Sequence, residues 1–159
     1  MRRAEDAPAT WEAFVAPQED ALERVSRAWG QVAHLHAVMD APPLRDAYNA
    51  NLPKVTQFWT ELGLNARLFE KFRALRDSAQ FARLSAARKR LIENALRDYR
   101  LSGVELAPDK KTRFARIQEE LARLAAKFSE NLLDATNAWT VVVGDPAGVA
   151  GIPADVLEA

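Results

Sequence analysis

The sequence contains no cysteine, and this absence removes three kinds of site at once. Without thiols the chain forms no disulfide, offers no thiolate to a metal ion and carries no cysteine nucleophile. Glycine is also scarce, with 6 residues among 159, and proline contributes 8. This composition excludes collagen-like chains and low-complexity disordered chains.

The sequence also lacks a net charge and a long apolar run. Lys and Arg total 22, as do Asp and Glu, so the formal net charge is zero, which argues against a general nucleic-acid binder. The longest strongly apolar stretch runs from Trp139 to Val143, far short of the ~20 residues that a membrane span needs. The segment from Met1 to Pro8 lacks the apolar centre of a secretory signal. We therefore expect a cytoplasmic protein with no membrane partner and no nucleic-acid partner.

Helical periodicity is the main positive signal. Apolar residues make up 48% of the chain and recur at spacings of three and four, which is typical of amphipathic helices. Thr10, Asn65 and Ser85 are the predicted N-caps, while Pro43 and Pro108 suit the first turn of a helix. The sequence therefore predicts a mainly helical, all-α fold, with about five to six helices in an antiparallel lobe.

The longest predicted helix runs from Pro108 to Asn137 and carries a nearly continuous apolar stripe. A short glycine-containing loop precedes it, which favours an antiparallel hairpin with the helix before. We expect Leu96 and Tyr99 to pack against Phe114 and Ile117 in this hairpin. The buried face is expected to continue through Leu121, Leu124 and Phe128.

The end of the chain contains the one predicted strand, in residues 139–143, where β-branched residues precede a turn. A lone strand cannot satisfy its backbone hydrogen bonds, so we expect its partner to lie outside this chain. Three segments follow from these patterns. Residues 1–9 form a flexible leader, residues 10–138 form the helical lobe, and residues 139–159 hold the strand, a turn and the start of a truncated helix. This organisation is typical of a fragment.

No residue pattern predicts catalysis. His34 and His36 are the two histidines, and because they are two positions apart on a helix they point to different faces and cannot clamp one metal ion. The sequence contains no His-Glu-x-x-His, and its acidic residues are scattered singly among arginines. The glycines from Gly144 to Gly151 lack the spacing of a phosphate-binding loop and predict a turn. We therefore identify no catalytic, cofactor-binding or metal-binding residue.

A basic stretch of the sequence suggests a weaker alternative hypothesis, a surface that binds the phosphates of a nucleic acid. Between Arg83 and Arg116, ten basic residues accompany four acidic ones, an excess that could attract phosphate. The aromatic residues in this window fall on the predicted core stripe. We therefore interpret the stretch as a solvated helix face.

Four stretches carry a family resemblance, and their order and spacing agree with it. They are Thr10 to Glu12, Asn94 to Tyr99 running into Leu101 to Gly103, Phe128 to Trp139, and Ala150 to Pro153. The sequence resembles the N-terminal region of the thimet oligopeptidase and oligopeptidase A family of zinc metallopeptidases, most closely the bacterial oligopeptidase A branch. The resemblance extends from about Thr10 to the end of the chain.

The resemblance implies a mainly helical enzyme with a deep channel between two lobes, which cuts short peptides with zinc held by His-Glu-x-x-His and a further glutamate. The zinc motif of the family lies downstream of the matched region, so the resemblance assigns no metal ligand, catalytic residue or cofactor to this chain. Zinc is expected only in the full-length enzyme. The chain is then the non-catalytic lobe and forms one wall of the channel.

The implied partners are the catalytic lobe of the parent chain and the short peptides that enter the assembled channel. A separated lobe is also expected to self-associate through its uncovered apolar face. The alternative hypothesis is a stand-alone helical scaffold, or a module that binds a peptide or protein without hydrolysing it.

Overall fold

The computed structural model describes residues 1–158, which are mainly helical. The helices are α1 (Arg2–Asp6), α2 (Ala16–Val38), α3 (Pro42–Gly63), α4 (Ala66–Arg76), α5 (Ala79–Arg83), α6 (Ala86–Leu101), α7 (Pro108–Ala138) and α8 (Ala154–Leu157). A π-helical turn at Trp11–Val15 leads into α2, and a 3₁₀ turn at Pro146–Val149 precedes α8. The predicted all-α fold is confirmed. Because α1, α5 and α8 are single short turns and the other five helices are long, the predicted count of about five to six is roughly right. No helix within residues 1–158 is both long and apolar enough to cross a membrane.

The predicted caps set the beginnings of three helical segments. The side chains of Thr10, Asn65 and Ser85 each accept a hydrogen bond from the backbone N–H three residues later, at 3.2, 3.1 and 3.4 Å. Each bond satisfies one of the amide groups that a helix leaves unpaired in its first turn. These three predictions are confirmed.

The chain divides into two compact units, with the boundary after Ala126. In the first unit, α4 packs against α6, and the π-helical turn contributes Phe14. The ring of Phe72 on α4 lies 4.8 Å from that of Phe14 and 5.7 Å from that of Tyr99. The side chains that are buried most completely are Phe14, Val15, Leu68, Phe72, Leu75 and Ile92.

The ends of α3 and α6 meet at a close backbone contact. A Cβ atom added to Gly63 would lie 2.7 Å from the Cβ of Ser102, so only glycine fits there without a shift. Gly103 then ends α6 with φ of +85°, in the left-handed region that glycine adopts without strain. These two glycines let α3 and α6 approach each other beside Tyr99.

Residues 1–9 differ from the flexible leader that the sequence predicts. They contain α1, whose Glu5 pairs with Arg67 at 2.9 Å and accepts a hydrogen bond from Asn65 at 2.7 Å. Lys71 also donates a hydrogen bond to the carbonyl of Glu5 at 2.9 Å. Because Ala4 and Ala7 pack against the core as well, this segment is part of the first unit.

The expected burial of the long helix is wrong. On α7, Ile117, Leu121 and Leu124 are 45%, 54% and 49% exposed, and Phe128 is 70% exposed. Tyr99 turns instead to the rings of Phe69 and Phe72 on α4. The apolar partner of α6 is therefore α4. On α7, Phe114 is partly buried, whereas Ile117, Leu121 and Leu124 are about half exposed.

The predicted strand is also wrong. Residues 139–145, which lie in the second unit, have no regular secondary structure, and Val142 is 89% exposed. Residues 1–158 contain no strand, so this segment has no ladder to join. After it, Asp145 accepts a hydrogen bond from the amide of Ala147 at 2.9 Å and caps the 3₁₀ turn. The predicted turn is present there.

Core truncation should separate the true core from the exposed stripe. Phe72→Ala is expected to lower the free energy of unfolding by about 3–5 kcal/mol, because it removes a ring at the centre of the aromatic contacts. Leu124→Ala is expected to change it far less, because the leucine is half exposed already. Chemical denaturation of both variants measures the difference, and equal losses would show that α7 is buried in solution.

Candidate functional site

His34 and His36, the two histidines of the chain, lie in different surroundings. His34 is exposed, whereas His36 is buried at the end of α2. Within residues 1–158 there is no group of three His, Cys, Asp or Glu side chains that could hold a metal ion. The described residues therefore do not fit the zinc site of a metallopeptidase, and no step of hydrolysis can be derived from them.

His36 instead belongs to an aromatic stack. Its ring lies on that of Tyr48 from α3, with centroids 4.0 Å apart and planes 10° from parallel. The ring of Trp29 also stacks on that of Tyr48, with the centroids 4.9 Å apart. The three rings join α2 to α3, and each ring covers apolar surface that water would otherwise reach.

A buried carboxylate completes this cluster. The side chain of Asp40 is 1% exposed and accepts a hydrogen bond from Nε of Arg45 at 2.7 Å, with a second contact from the same guanidinium. Nε2 of His36 lies 3.9 Å from the other Asp40 oxygen. Because a buried carboxylate needs a charged partner to offset its lost hydration, Arg45 holds the connection between α2 and α3 in place.

Sequence analysis missed this carboxylate, although a signal was present. None of the sequence-based expectations involves Asp40. Asp40 follows His36 by four positions, a spacing that places two side chains on one face of a helix or of its continuation. The pattern could have suggested a local His–Asp contact, but it contains no information on Arg45.

Several of the basic residues between Arg83 and Arg116 make local contacts. Arg97 pairs with Asp98 at 2.8 Å, and Arg100 lies 3.6 Å from Glu105. The guanidinium of Arg88 lies 4.7 Å from the centre of the Trp11 ring, a cation–π contact. These contacts agree with the interpretation of this stretch as a helix face rather than a phosphate-binding surface.

Comparison with known proteins places the whole chain within larger relatives. The domain family described as Neurolysin/Thimet oligopeptidase, N-terminal domain, matches residues 3–111, so the match begins before Thr10. Oligopeptidase A of Haemophilus influenzae is 40% identical over 150 residues, which are 94% of this chain and 22% of that protein. Oligopeptidase A of Escherichia coli is 38% identical over 156 residues, 98% of this chain and 23% of that protein.

A plant relative matches a similar share of this chain at a similar identity. The probable cytosolic oligopeptidase A of Arabidopsis thaliana is 38% identical over 148 residues, 93% of this chain and 21% of that protein. The chain thus spans about a fifth of the length of the curated relatives that it matches.

The helices and their packing define a mainly helical domain. The chain belongs to the neurolysin/thimet oligopeptidase family and represents its N-terminal domain.

The role of Asp40 can be tested by an isosteric change. Asp40→Asn is expected to lower the free energy of unfolding by about 1–3 kcal/mol, because Arg45 loses a charged partner that is shielded from water. Asp46→Asn, which changes an exposed carboxylate on α3, is the matched control and should have little effect. Chemical denaturation measures both, and a similar small loss in the two variants would show that the Asp40 pair contributes nothing to stability.

Proposed function

We propose that the chain is the non-catalytic N-terminal helical lobe of a zinc-dependent metalloendopeptidase similar to oligopeptidase A, and that the lobe forms one wall of the substrate channel. In the assembled enzyme, the catalytic lobe of the same parent chain hydrolyses short peptides. The lobe contributes by narrowing the entrance, so that a folded protein would have to unfold before it could enter.

One observation carries this proposal: nearly the whole chain aligns with oligopeptidase A, but it accounts for only about a fifth of that enzyme. The matching family is the N-terminal domain, not the catalytic part. Because the described residues hold no metal-ligand set, zinc and the hydrolytic step belong to the rest of the parent enzyme.

The exposed apolar stripe of α7 supports the proposal that another part of the enzyme packs on this helix. Ile117, Leu121 and Leu124 lie at spacings of four and three, on one face of the helix, and about half of each side chain is exposed. Covering apolar surface of this kind gains roughly 25 cal/mol per Å², so three neighbouring leucine-like side chains favour a packed partner over water. The catalytic lobe is the partner that we propose for this face.

A cytoplasmic location is part of the same proposal. One Arabidopsis relative is described as a probable cytosolic oligopeptidase A, and another as an organellar one.

Reconstitution from two parts tests the proposal. The chain is co-expressed with the part of Escherichia coli oligopeptidase A that lies outside the matched region, and cleavage of a short quenched peptide is measured with zinc present. We expect no cleavage by the chain alone, and zinc-dependent cleavage when both parts are present. Cleavage by the chain alone that disappears in His34→Ala/His36→Gln would overturn the assignment as a non-catalytic lobe.

Two variants of α7 refine this experiment. Leu121→Gln places an amide on the apolar stripe and should weaken reconstitution, whereas Glu119→Gln places the same residue on the opposite face and should not. If the chain binds peptides but never supports cleavage, the result would favour the alternative hypothesis of a stand-alone binding module.

The isolated chain is also expected to self-associate, because two copies can cover each other's α7 stripes. Light scattering across a wide concentration range should show a mass that rises towards that of a dimer. Leu121→Gln should reduce this rise, and Glu119→Gln should leave it unchanged. A strictly monomeric chain at all concentrations would contradict the idea that the stripe needs a partner.

A further inference from the structure

A cavity of about 370 Å³ lies in the first unit, beside the close approach of α3 and α6. Gln18 and Glu19 line it from α2, Trp59 from α3 and Tyr99 from α6, while Leu22 and Leu62 add apolar wall. Its volume falls within the ~300–1,000 Å³ typical of sites for small ligands. The cavity has no part in the proposed peptidase function, since none of the residues that line it belongs to the α7 stripe.

Two side chains that line the cavity contain buried polar atoms without partners. Gln18 and Tyr99 are only 9% and 6% exposed, and neither Oε1 of Gln18 nor the Tyr99 hydroxyl makes a hydrogen bond within the described residues. A buried polar atom left without a partner costs about 1–3 kcal/mol, so its retention points to a partner that is supplied from outside the chain.

Glu19 adds a negative charge at the same place. Burial raises the pKa of this carboxyl above its usual value, and no cation within the described residues offsets the lost hydration. The other acidic residue in the wall, Asp98, is already paired with Arg97 at 2.8 Å. Glu19 is therefore the carboxylate that is available to a ligand.

The pKa of the Tyr99 phenol depends on the same surroundings. Burial raises the pKa of Tyr99 to about 12, the nearby Gln18 side chain opposes this rise, and the negative charge of Glu19 adds to it. At neutral pH the phenol is thus uncharged, and the cavity carries the negative charge of Glu19 without a second anion from Tyr99.

We propose that this cavity binds an organic cation, a primary ammonium or guanidinium group on a short aliphatic stem, as in a lysine or arginine side chain. The cation donates hydrogen bonds to the carboxylate of Glu19 and to Oε1 of Gln18. The stem packs on Leu22 and Leu62, and the Trp59 ring adds the attraction of an aromatic face for a positive charge. A bare metal ion would find too few oxygen ligands here, and an anion would be repelled by Glu19.

Binding is measured by isothermal titration of the full chain with two probes, N-acetyl-lysine methylamide for a peptide source and n-butylamine for a free amine. N-acetyl-norleucine methylamide is the uncharged control. We expect saturable binding of at least one amine and binding of the uncharged control that is weaker by about tenfold or more. Binding of the lysine derivative alone identifies a peptide side chain, and binding of butylamine alone identifies a free amine. Equal binding of all three, or saturable binding of neither amine, would overturn the proposal.

Variants separate the site from general surface charge. Glu19→Gln should weaken amine binding by about tenfold, whereas Glu70→Gln, on the exposed face of α4, should not. Glu19→Gln should fold normally, because it removes a charge that burial disfavours, and its melting temperature at neutral pH should equal or exceed that of the parent chain. Unchanged amine binding by this folded variant would contradict the assignment of Glu19.

The pH dependence of amine binding is a second test of the role of Glu19. Asp98, Tyr99 and Arg90 are the other titratable groups on the two sides of Glu19. Since only the ionised carboxylate attracts a cation, amine affinity should fall as the pH is lowered through the raised pKa of Glu19. In Glu19→Gln the remaining weak binding should not change over that range. A pH dependence that persists in this variant would assign the effect to Asp98 and overturn the role of Glu19.

Discussion

The contact between Phe14 and Phe72 is the interaction on which the first unit depends. Their rings meet edge to face at 4.8 Å, and both side chains are fully enclosed. Phe72 reaches onward to Tyr99, so one chain of rings connects the π-helical turn, α4 and α6. The positions of α1, which pairs with α4 through Arg67, and of the cavity beside Tyr99 both follow from this packing.

Local chemistry explains why the helices could be predicted from the sequence. A cap such as Asn65 acts on an amide three residues away, and a proline acts on its own turn, so both signals are complete within a few residues. The same holds for the turn at Asp145. Tertiary contacts differ, because the apolar stripe of a helix shows that a face should be covered without showing what covers it. The stripe of α4 is covered by α6, whereas Ile117, Leu121 and Leu124 of α7 remain about half exposed.

In the candidate site, too, local features could be predicted from the sequence and tertiary contacts could not. His34 is exposed and His36 is buried, as expected for two residues that lie two positions apart and so point to different faces of a helix. The partners of Asp40 and Glu19 could not be predicted, because Arg45 approaches Asp40 across a helix connection and Glu19 owes its raised pKa to burial among three helices. The strand predicted at residues 139–143 failed for a related reason. β-Branched residues favour a strand only where another strand supplies the hydrogen bonds.

An exposed apolar face and a half-buried carboxylate make different demands on a partner. The face of Ile117, Leu121 and Leu124 is amphipathic in the ordinary way, and its exposure is relieved by any apolar partner of matching shape. A half-buried carboxylate such as Glu19 is more selective, because only a positive group in contact with it offsets the lost hydration. In the two proposals made above, the stripe of α7 would provide affinity for a covering lobe, while the cavity at Glu19 would provide discrimination by charge. The two can operate independently, since the residues that define them do not overlap.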